Sequence, residues 1–227
     1  MKYIVIGLGR FGSNLATDLT NMGHEVIGVD SHYERLEELK NSVTTVMKMD
    51  ATNINAVKSL PLNDADAVIV AIGEDVGSSI LTASILKNLK VKRIIGRAIN
   101  QVHQNILNQI GIEEVVLPLE DSANHVASML QLKNTLRLTE LNDDYAVAEI
   151  IVPVKYIGHA IDTLSIGERF NLKLVAVKIA PKDGLLASIF RRNFRVDMGY
   201  DPYSPLGEKD VLVLAGKITD IKRFVES

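Results

Sequence analysis

The hexapeptide Gly7-Leu8-Gly9-Arg10-Phe11-Gly12 constrains this chain more than any other feature. It reads G-x-G-x-x-G. Before it, Lys2–Ile6 is apolar after its first residue, as in a strand buried on both faces of a parallel sheet. Behind it, Arg10–Met22 spaces Leu15, Leu19 and Met22 as a helix does. In that setting Gly7 permits a tight turn, Gly9 lets a phosphate approach the backbone, and Gly12 lets the helix pack close to the strand. The N–H groups of the helix start are then left facing an anion. The competing reading is a βα turn whose glycines serve only to reach positive φ.

The strand–helix alternation continues for more than a hundred residues. Apolar runs at Glu25–Val29, Val43–Met49, Asp66–Ile72, Arg93–Ala98 and Glu114–Leu117 read as strands, the last stopped by Pro118. Between them lie helical patterns at Tyr33–Lys40, Asn53–Leu60, Ser78–Leu89 and Gln101–Ile110. Asn53 is a candidate cap, Leu81, Ile85 and Leu89 form a candidate stripe, and Gly111 is a C-terminal stop. The order predicts an α/β, Rossmann-like, doubly wound parallel sheet. Asp121–Leu132 reads as a further helix whose Val126, Met129 and Leu130 need a partner, which predicts an oligomer. The polar stretch Lys133–Asp144 suggests a boundary near residue 138, giving a domain over 1–138 and a small α+β domain over 139–227. Its expected strands are Tyr145–Val152, Leu172–Ala180 and Asp210–Ala215, with a short helix around Ala160–Leu164 and a final one at Ile218–Val225. Gly184–Leu206 has no clean period. It sets Arg191, Arg192 and Arg195 among Phe190, Phe194, Tyr200 and Tyr203, as a solvated loop or hairpin does; the alternative is a partner or lipid-headgroup contact.

Composition removes several classes. With no cysteine there is no disulfide framework and no Cys-ligated zinc or iron–sulfur site. The net charge is −3, and neither part is basic: 13 basic against 15 acidic residues up to 138, then 12 against 13. That argues against nucleic acid as a partner. No apolar run approaches the roughly 18 residues that span a bilayer. The expectation is a chain that stays in the compartment where it is made and reaches a membrane only through a partner.

Asp30 ends the second strand, 18 residues after Gly12. A carboxylate there accepts hydrogen bonds from an adenosine ribose and repels a 2′-phosphate. It predicts NAD(H), ATP, ADP or AMP rather than NADP, unless Asp30 merely caps a helix. Asp50-Ala51-Thr52 follows the third strand, where Thr52 either borders the crevice or caps the next helix. Ala71-Ile72-Gly73 ends the fourth with residues small enough for a nucleotide to lie across. Arg97 ends the fifth, as phosphate-side charge or as a surface ion-pair partner. The histidines His24, His32, His103, His125 and His159 form no recognisable catalytic cluster, and no nucleophile elbow, zinc helix or Walker loop is present. A nucleotide crevice without an evident reaction favours a sensor over an enzyme.

Taken as an ordered series, G-L-G-R-F-G at 7–12, M-G-H-E-V at 22–26, V-D at 29–30, D-A-T at 50–52, V-I-V-A-I-G at 68–73, L-T at 81–82, N-Q-V-H at 100–103 and I-G at 110–111 closely resemble the regulatory subunits of Trk/Ktr potassium-uptake systems. These join an RCK N-terminal Rossmann domain to a TrkA-C-type domain, and the single unit here is similar to the short Ktr form. The resemblance implies a cytoplasmic homo-oligomer, commonly an octameric ring of dimers. The ring docks at the inner face of the membrane on an integral-membrane potassium-translocating subunit of the TrkH/KtrB type. NAD(H), ATP or ADP in the crevice then changes ring shape and gates the pore, with no catalysis. Under the resemblance Gly7, Leu8, Gly9, Arg10, Phe11 and Gly12 form the phosphate loop, and Asp30 holds the ribose. Asp50, Ala51, Thr52, Ala71, Ile72 and Gly73 meet adenine and ribose. Arg97 stands near the phosphates, and Arg10 reaches a neighbouring subunit's terminal phosphate.

Three departures stand out. Close Ktr relatives read P-E-x-D-M-G where this chain has Pro118-Leu119-Glu120-Asp121-Ser122-Ala123. Leu119 cannot ligate a hard cation, which demands oxygen. Glu120 takes the place of the missing carboxylate only if the chain has already turned at Pro118. The expectation is weaker discrimination of ATP from ADP through a divalent ion. The 184–206 insert has no counterpart in the short forms. Gly167 stands where cyclic di-AMP-binding relatives carry arginine, so that activity is not carried over. The competing functions are an NAD-dependent oxidoreductase and a nucleotide-sensing adaptor or transcription regulator; the latter needs a helix-turn-helix, which the sequence does not offer.

Overall fold

A computed structural model describes residues 1–131, 133–180 and 194–226. Phe190, Arg191, Arg192, Leu132 and the Met129 side chain, all named above, lie outside the described residues. The chain forms two compact units, Met1–Asp121 and Ser122–Ser227.

In the first unit six strands alternate with helices: β1 (Lys2–Ile6), α1 (Arg10–Asn21), β2 (Glu25–Asp30), α2 (Tyr33–Leu39), β3 (Thr45–Lys48), α3 (Ile54–Val57), β4 (Ala67–Val70), α4 (Val76–Asn88), β5 (Ile94–Arg97), α5 (Gln101–Gln109) and β6 (Glu114–Val116). All pairings are parallel, in the order β3-β2-β1-β4-β5-β6. Successive side chains on a strand point to opposite faces. Ile4 and Ile6 of β1 therefore join Val68 and Val70 of β4 in one core, while Val5 joins Ala67 and Ile69 in the other. This double burial is why β1 and β4 read as apolar runs. The winding reverses between neighbouring β1 and β4, and a crevice opens at such a switch point, beyond the strand C-termini.

Two helical stripes differ from expectation. On α4 the buried face is Ser79, Thr82, Ala83 and Leu86, and Leu81 is 56% exposed. Small side chains hold the helix close to the sheet beside Leu86, while Ile85 and Leu89 of the expected stripe pack half-buried against the core and Leu81 is left outside. On α1, Gly12 and Ala16 are buried while Leu15 and Leu19 pack at the edge; Met22 lies past the helix end and is exposed.

The boundary lies earlier than residue 138. Pro118 does not only stop β6: it opens α6 (Pro118–Gln131), since proline at the first helical position loses no hydrogen bond. Lys133–Asp144 is not a linker either. Its Thr135–Glu140 forms β7 and pairs antiparallel with β8 (Tyr145–Ile151). On α6, Leu119, Val126 and Leu130 are exposed.

The second unit continues with α7 (Ile166–Phe170), β9 (Lys173–Ile179), β10 (Arg195–Asp197), β11 (Val211–Lys217) and α8 (Ile218–Glu226). Its antiparallel sheet runs β10-β9-β11-β8-β7. Ala146, Ala148 and Ile150 alternate inward on β8 and meet Leu212, Leu214, Ile221 and Phe224 in one core. Phe224 stacks on Tyr156 at 5.2 Å between ring centres and meets Phe170 edge-on at 5.1 Å. The short α7 ends at Asn171 with φ +56°, a left-handed position that asparagine tolerates. Ala160–Leu164, expected as a short helix, is a 3-10 turn over Ile161–Leu164. Within 184–206, the described part supplies β10, paired with β9. No helix among the described residues is long and apolar enough to cross a membrane.

Candidate functional site

A cleft of about 350 Å³ opens at the C-terminal ends of β1, β2, β3 and β4. Gly7, Gly9, Arg10, Asp30, Asp50, Ala51, Thr52, Ala71, Ile72, Gly73 and Arg97, all expected from sequence, line it. Leu8, Phe11, Gly12 and Glu120 do not. Leu8 is buried, and it serves through its backbone. Glu120 is exposed on the first turn of α6; the chain has turned at Pro118, yet Glu120 is not among the lining residues.

The glycine loop is built for close approach. Gly7 has φ +94°, and a Cβ there would stand 2.8 Å from Ile72 Cγ1. At Gly12 a Cβ would overlap the Gly7 carbonyl oxygen and lie 3.1 Å from Ala71 Cβ, so α1 sits directly against β1 and β4. Above Gly9 the space is open, with only an Arg35 nitrogen at 4.0 Å. Gly9 caps α1 without a side chain, so its first-turn N–H groups are not taken by a capping group. This cradle fits a phosphate or pyrophosphate.

Asp30 anchors the other end. Its side chain is 4% exposed. Oδ2 accepts the Leu8 N–H at 2.7 Å, which ties the glycine loop to the tip of β2, and Arg35 Nη1 reaches it at 3.4 Å. Oδ1 accepts the His32 N–H at 2.9 Å and lies 3.0 Å from His32 Nδ1. Burial by itself would raise the Asp30 pKa; the His32 and Leu8 N–H groups, the His32 ring and the Arg35 charge outweigh it and hold the carboxyl below its ordinary value. The sign follows. A depressed carboxyl contributes stability above its unfolded pKa and loses it as pH falls through the folded one, so acid weakens this anchor below about pH 4.

The other lining carboxylates are also engaged. Asp50 accepts the Thr52 hydroxyl at 2.7 Å and its N–H at 2.9 Å. Thr52 thus closes a turn on Asp50 and leaves the capping of α3 to Asn53, whose side chain accepts the Asn55 N–H. Asp75 caps α4 through the Ser78 hydroxyl at 2.6 Å and N–H at 3.2 Å. Glu74 pairs with Arg35 Nη2 at 2.8 Å. Hydrogen bonds from Thr52, Arg35 and Ser78 lower the pKa values of Asp50, Glu74 and Asp75 in turn. All four carboxyls are pushed away from neutrality. A general acid or base needs the opposite shift, toward the working pH.

Arg97 donates to the Ala71 carbonyl at 3.4 Å and lies over Phe11 at 5.5 Å, so Phe11 acts as its platform rather than as a lining residue. Ser31, His32, Arg35, Glu74, Asp75 and Ser78 also line the cleft and were not read from sequence as binding residues. Asp75 was findable as a cap three residues before Ser78. Arg35 and Glu74 carry no local signal, because they meet across 39 positions.

A glycine cradle at the head of α1, a buried carboxylate at the tip of β2 and a crevice at the β1/β4 switch point define the Rossmann class of nucleotide-binding folds. Residues 3–118 match the TrkA-N domain family. The chain is 31% identical over 223 residues to Ktr system potassium uptake protein C of Bacillus subtilis (strain 168), covering 98% of this chain and 95% of that one. It is 29% identical over 181 residues to Ktr system potassium uptake protein A of Vibrio alginolyticus, covering 80% and 82%. The chain belongs to the TrkA-N family and, within it, to the Trk/Ktr potassium-uptake regulatory subunits of the short Ktr form. In fold it is similar to the GsuK RCK domain, with TM-score 0.67 and 17% identity, covering 100% of this chain and 48% of that one. It thus spans about half the length of that longer chain. The GsuK channel bound to NAD gives TM-score 0.66 at 17% identity, with 39% of that chain covered.

Proposed function

We propose that this protein is the cytoplasmic regulatory subunit of a Ktr-type potassium-uptake system, and that an adenine nucleotide in the β1/β2/β4 cleft sets the activity of a membrane partner. The observation that carries this reading is the chemistry of the cleft. It has a phosphate cradle at one end, a ribose-sized carboxylate at the other, and four carboxyls held ionised by hydrogen bonds. Such a site binds and holds; it is not tuned to move protons.

The ligands of this reading are NAD(H), ATP or ADP, with NADP rejected at Asp30. Gly7, Gly9 and Arg10 hold the phosphates, with Gly12 letting α1 pack close, Leu8 fastening the loop and Phe11 bracing Arg97 beside them. Asp50, Ala51, Thr52, Ala71, Ile72 and Gly73 border adenine and ribose. Glu120 stays outside, and Leu119 offers no oxygen, so ATP and ADP are told apart with little help from a divalent ion. The partner is an integral-membrane potassium-translocating subunit, and the protein works as a homo-oligomer, an octameric ring of dimers. The exposed Val126 and Leu130 on α6 support assembly.

The test is a thermal-shift panel of NAD, NADH, ATP, ADP and NADP on the parent chain and on Asp30→Asn. A ligand at a hundred times its Kd stabilises by about 2.7 kcal/mol. The four nucleotides with a free 2′-hydroxyl are expected to raise the melting temperature and NADP is not. Loss of a charge-assisted interaction worth about 1.5–3 kcal/mol is expected to weaken all four in Asp30→Asn. Equal shifts from NAD and NADP on the parent would contradict the role of Asp30, and no shift from any nucleotide would contradict the reading as a whole.

A further inference from the structure

We propose that Glu74 is a specificity-determining residue: by holding Arg35 it keeps the arginine beside Asp30 away from a 2′-phosphate and so completes the rejection of 2′-phosphorylated nucleotides. The proposal rests on the nucleotide reading above and goes one step past it, to a pair of residues that no sequence motif marks.

Donors crowd around Asp30. An ionised carboxylate offers about four lone-pair positions. Here four donors face them: the N–H groups of Leu8 and His32, His32 Nδ1 and Arg35 Nη1. Asp30 therefore has no free position for a ribose hydroxyl until one donor gives way. Arg35 makes the longest of the four contacts, 3.4 Å against 2.7–3.0 Å for the rest. Its Nη2 also donates to Glu74 at 2.8 Å, which anchors the guanidinium when Nη1 leaves Asp30. A ribose hydroxyl displaces Arg35 from Asp30 most easily, and Arg35 stays where Glu74 holds it.

A 2′-phosphate meets a different balance. It removes the 2′-hydroxyl proton, leaving only the 3′-hydroxyl to donate to Asp30, and it brings negative charge toward a buried carboxylate. The usual remedy is an arginine near the end of β2 that turns onto the phosphate, and Arg35 stands in that position, on the first turn of α2. In this chain the guanidinium is already shared by two carboxylates. A phosphate has to take it from Glu74 and then sit beside both. Glu74 comes from the loop after β4, on the far side of the cleft from α2, and both residues line the cleft. The Glu74 side chain is 78% exposed and supports no core, so its replacement puts the fold at little risk.

The experiment measures, by calorimetry, the dissociation constants of NAD and NADP for the parent, Glu74→Gln, and the double variant Glu74→Gln/Arg35→Gln, and reads the ratio of the two constants within each protein. General losses of affinity cancel in that ratio. One freed arginine–phosphate contact is expected to narrow the ratio in Glu74→Gln by roughly tenfold or more. In the double variant the ratio is expected to widen again toward the parent's. A ratio unchanged in Glu74→Gln, with NAD still bound, overturns the role of Glu74 while leaving the nucleotide reading intact. A ratio narrowed equally in the double variant also overturns it, because the effect then comes from bulk charge and not from Arg35. If the parent binds neither nucleotide and ADP and ATP also fail, the nucleotide reading falls and the proposal falls with it.

Discussion

Gly12→Ala is expected to cost roughly 2–4 kcal/mol of stability and to abolish nucleotide-dependent stabilisation. The added Cβ would overlap the Gly7 carbonyl oxygen and press on Ala71 Cβ. Neither neighbour is the free end of a long side chain, so neither can swing aside. Relief requires α1 to move off β1 and β4, which carries its first-turn N–H groups away from the cleft floor. Fold and site therefore fail together at this position. Calorimetric melts with and without ADP check it. A variant that melts with the parent and still responds to ADP would show that α1 has slack that the packing does not reveal.

Phe224→Ala is expected to be larger in energy and silent at the cleft. Phe224 is fully buried, stacked on Tyr156 and set edge-on against Phe170. Truncating a buried phenylalanine costs about 3–5 kcal/mol through lost burial and the cavity left behind. In a unit of this size that lowers the melting transition by roughly 15 °C or more. The loss belongs to the C-terminal unit, Ser122–Ser227. The transition that nucleotide stabilises should stay where it is in the variant. If that transition moves down with the other, the two units do not unfold independently.

The sequence carried the first unit well because its central strands β1 and β4 are buried on both faces and its glycines answer a steric need. Runs rich in apolar residues marked each of β1 to β6 within a few residues, and Asn53 was identifiable as a cap. The same sequence hid β7. Thr135–Glu140 lies at the edge of its sheet, where a strand keeps polar residues, and only Thr135 and Leu138 in it are buried. Flanked by Asn134 and by Asn142-Asp143-Asp144, it reads as a linker. Pro118 misled for a related reason, because one residue type both ends a strand and opens a helix. β10 is three residues long and has no room for a period.

At the site, the legible residues were those whose type is forced by backbone geometry or by the end of a strand: Gly7, Gly9, Gly12, Asp30, Ala71 and Gly73. The contribution of Leu8 is a main-chain N–H, which any residue except proline could supply, so its identity gives no signal. Arg35 and Glu74 are ordinary charged residues one at a time, and only the fold brings them to 2.8 Å.

On the proposed function, nucleotide bound in this cleft controls potassium movement through a membrane subunit. Rubidium uptake into liposomes holding a Ktr-type potassium-translocating subunit tests it most directly. Uptake is followed with this protein added alone, with ATP, with ADP and with NAD, and again with Asp30→Asn. The expected flux depends on which nucleotide is present and no longer responds to it in Asp30→Asn. A flux that is the same with and without the protein, or the same for every nucleotide while binding is saturated, would contradict it.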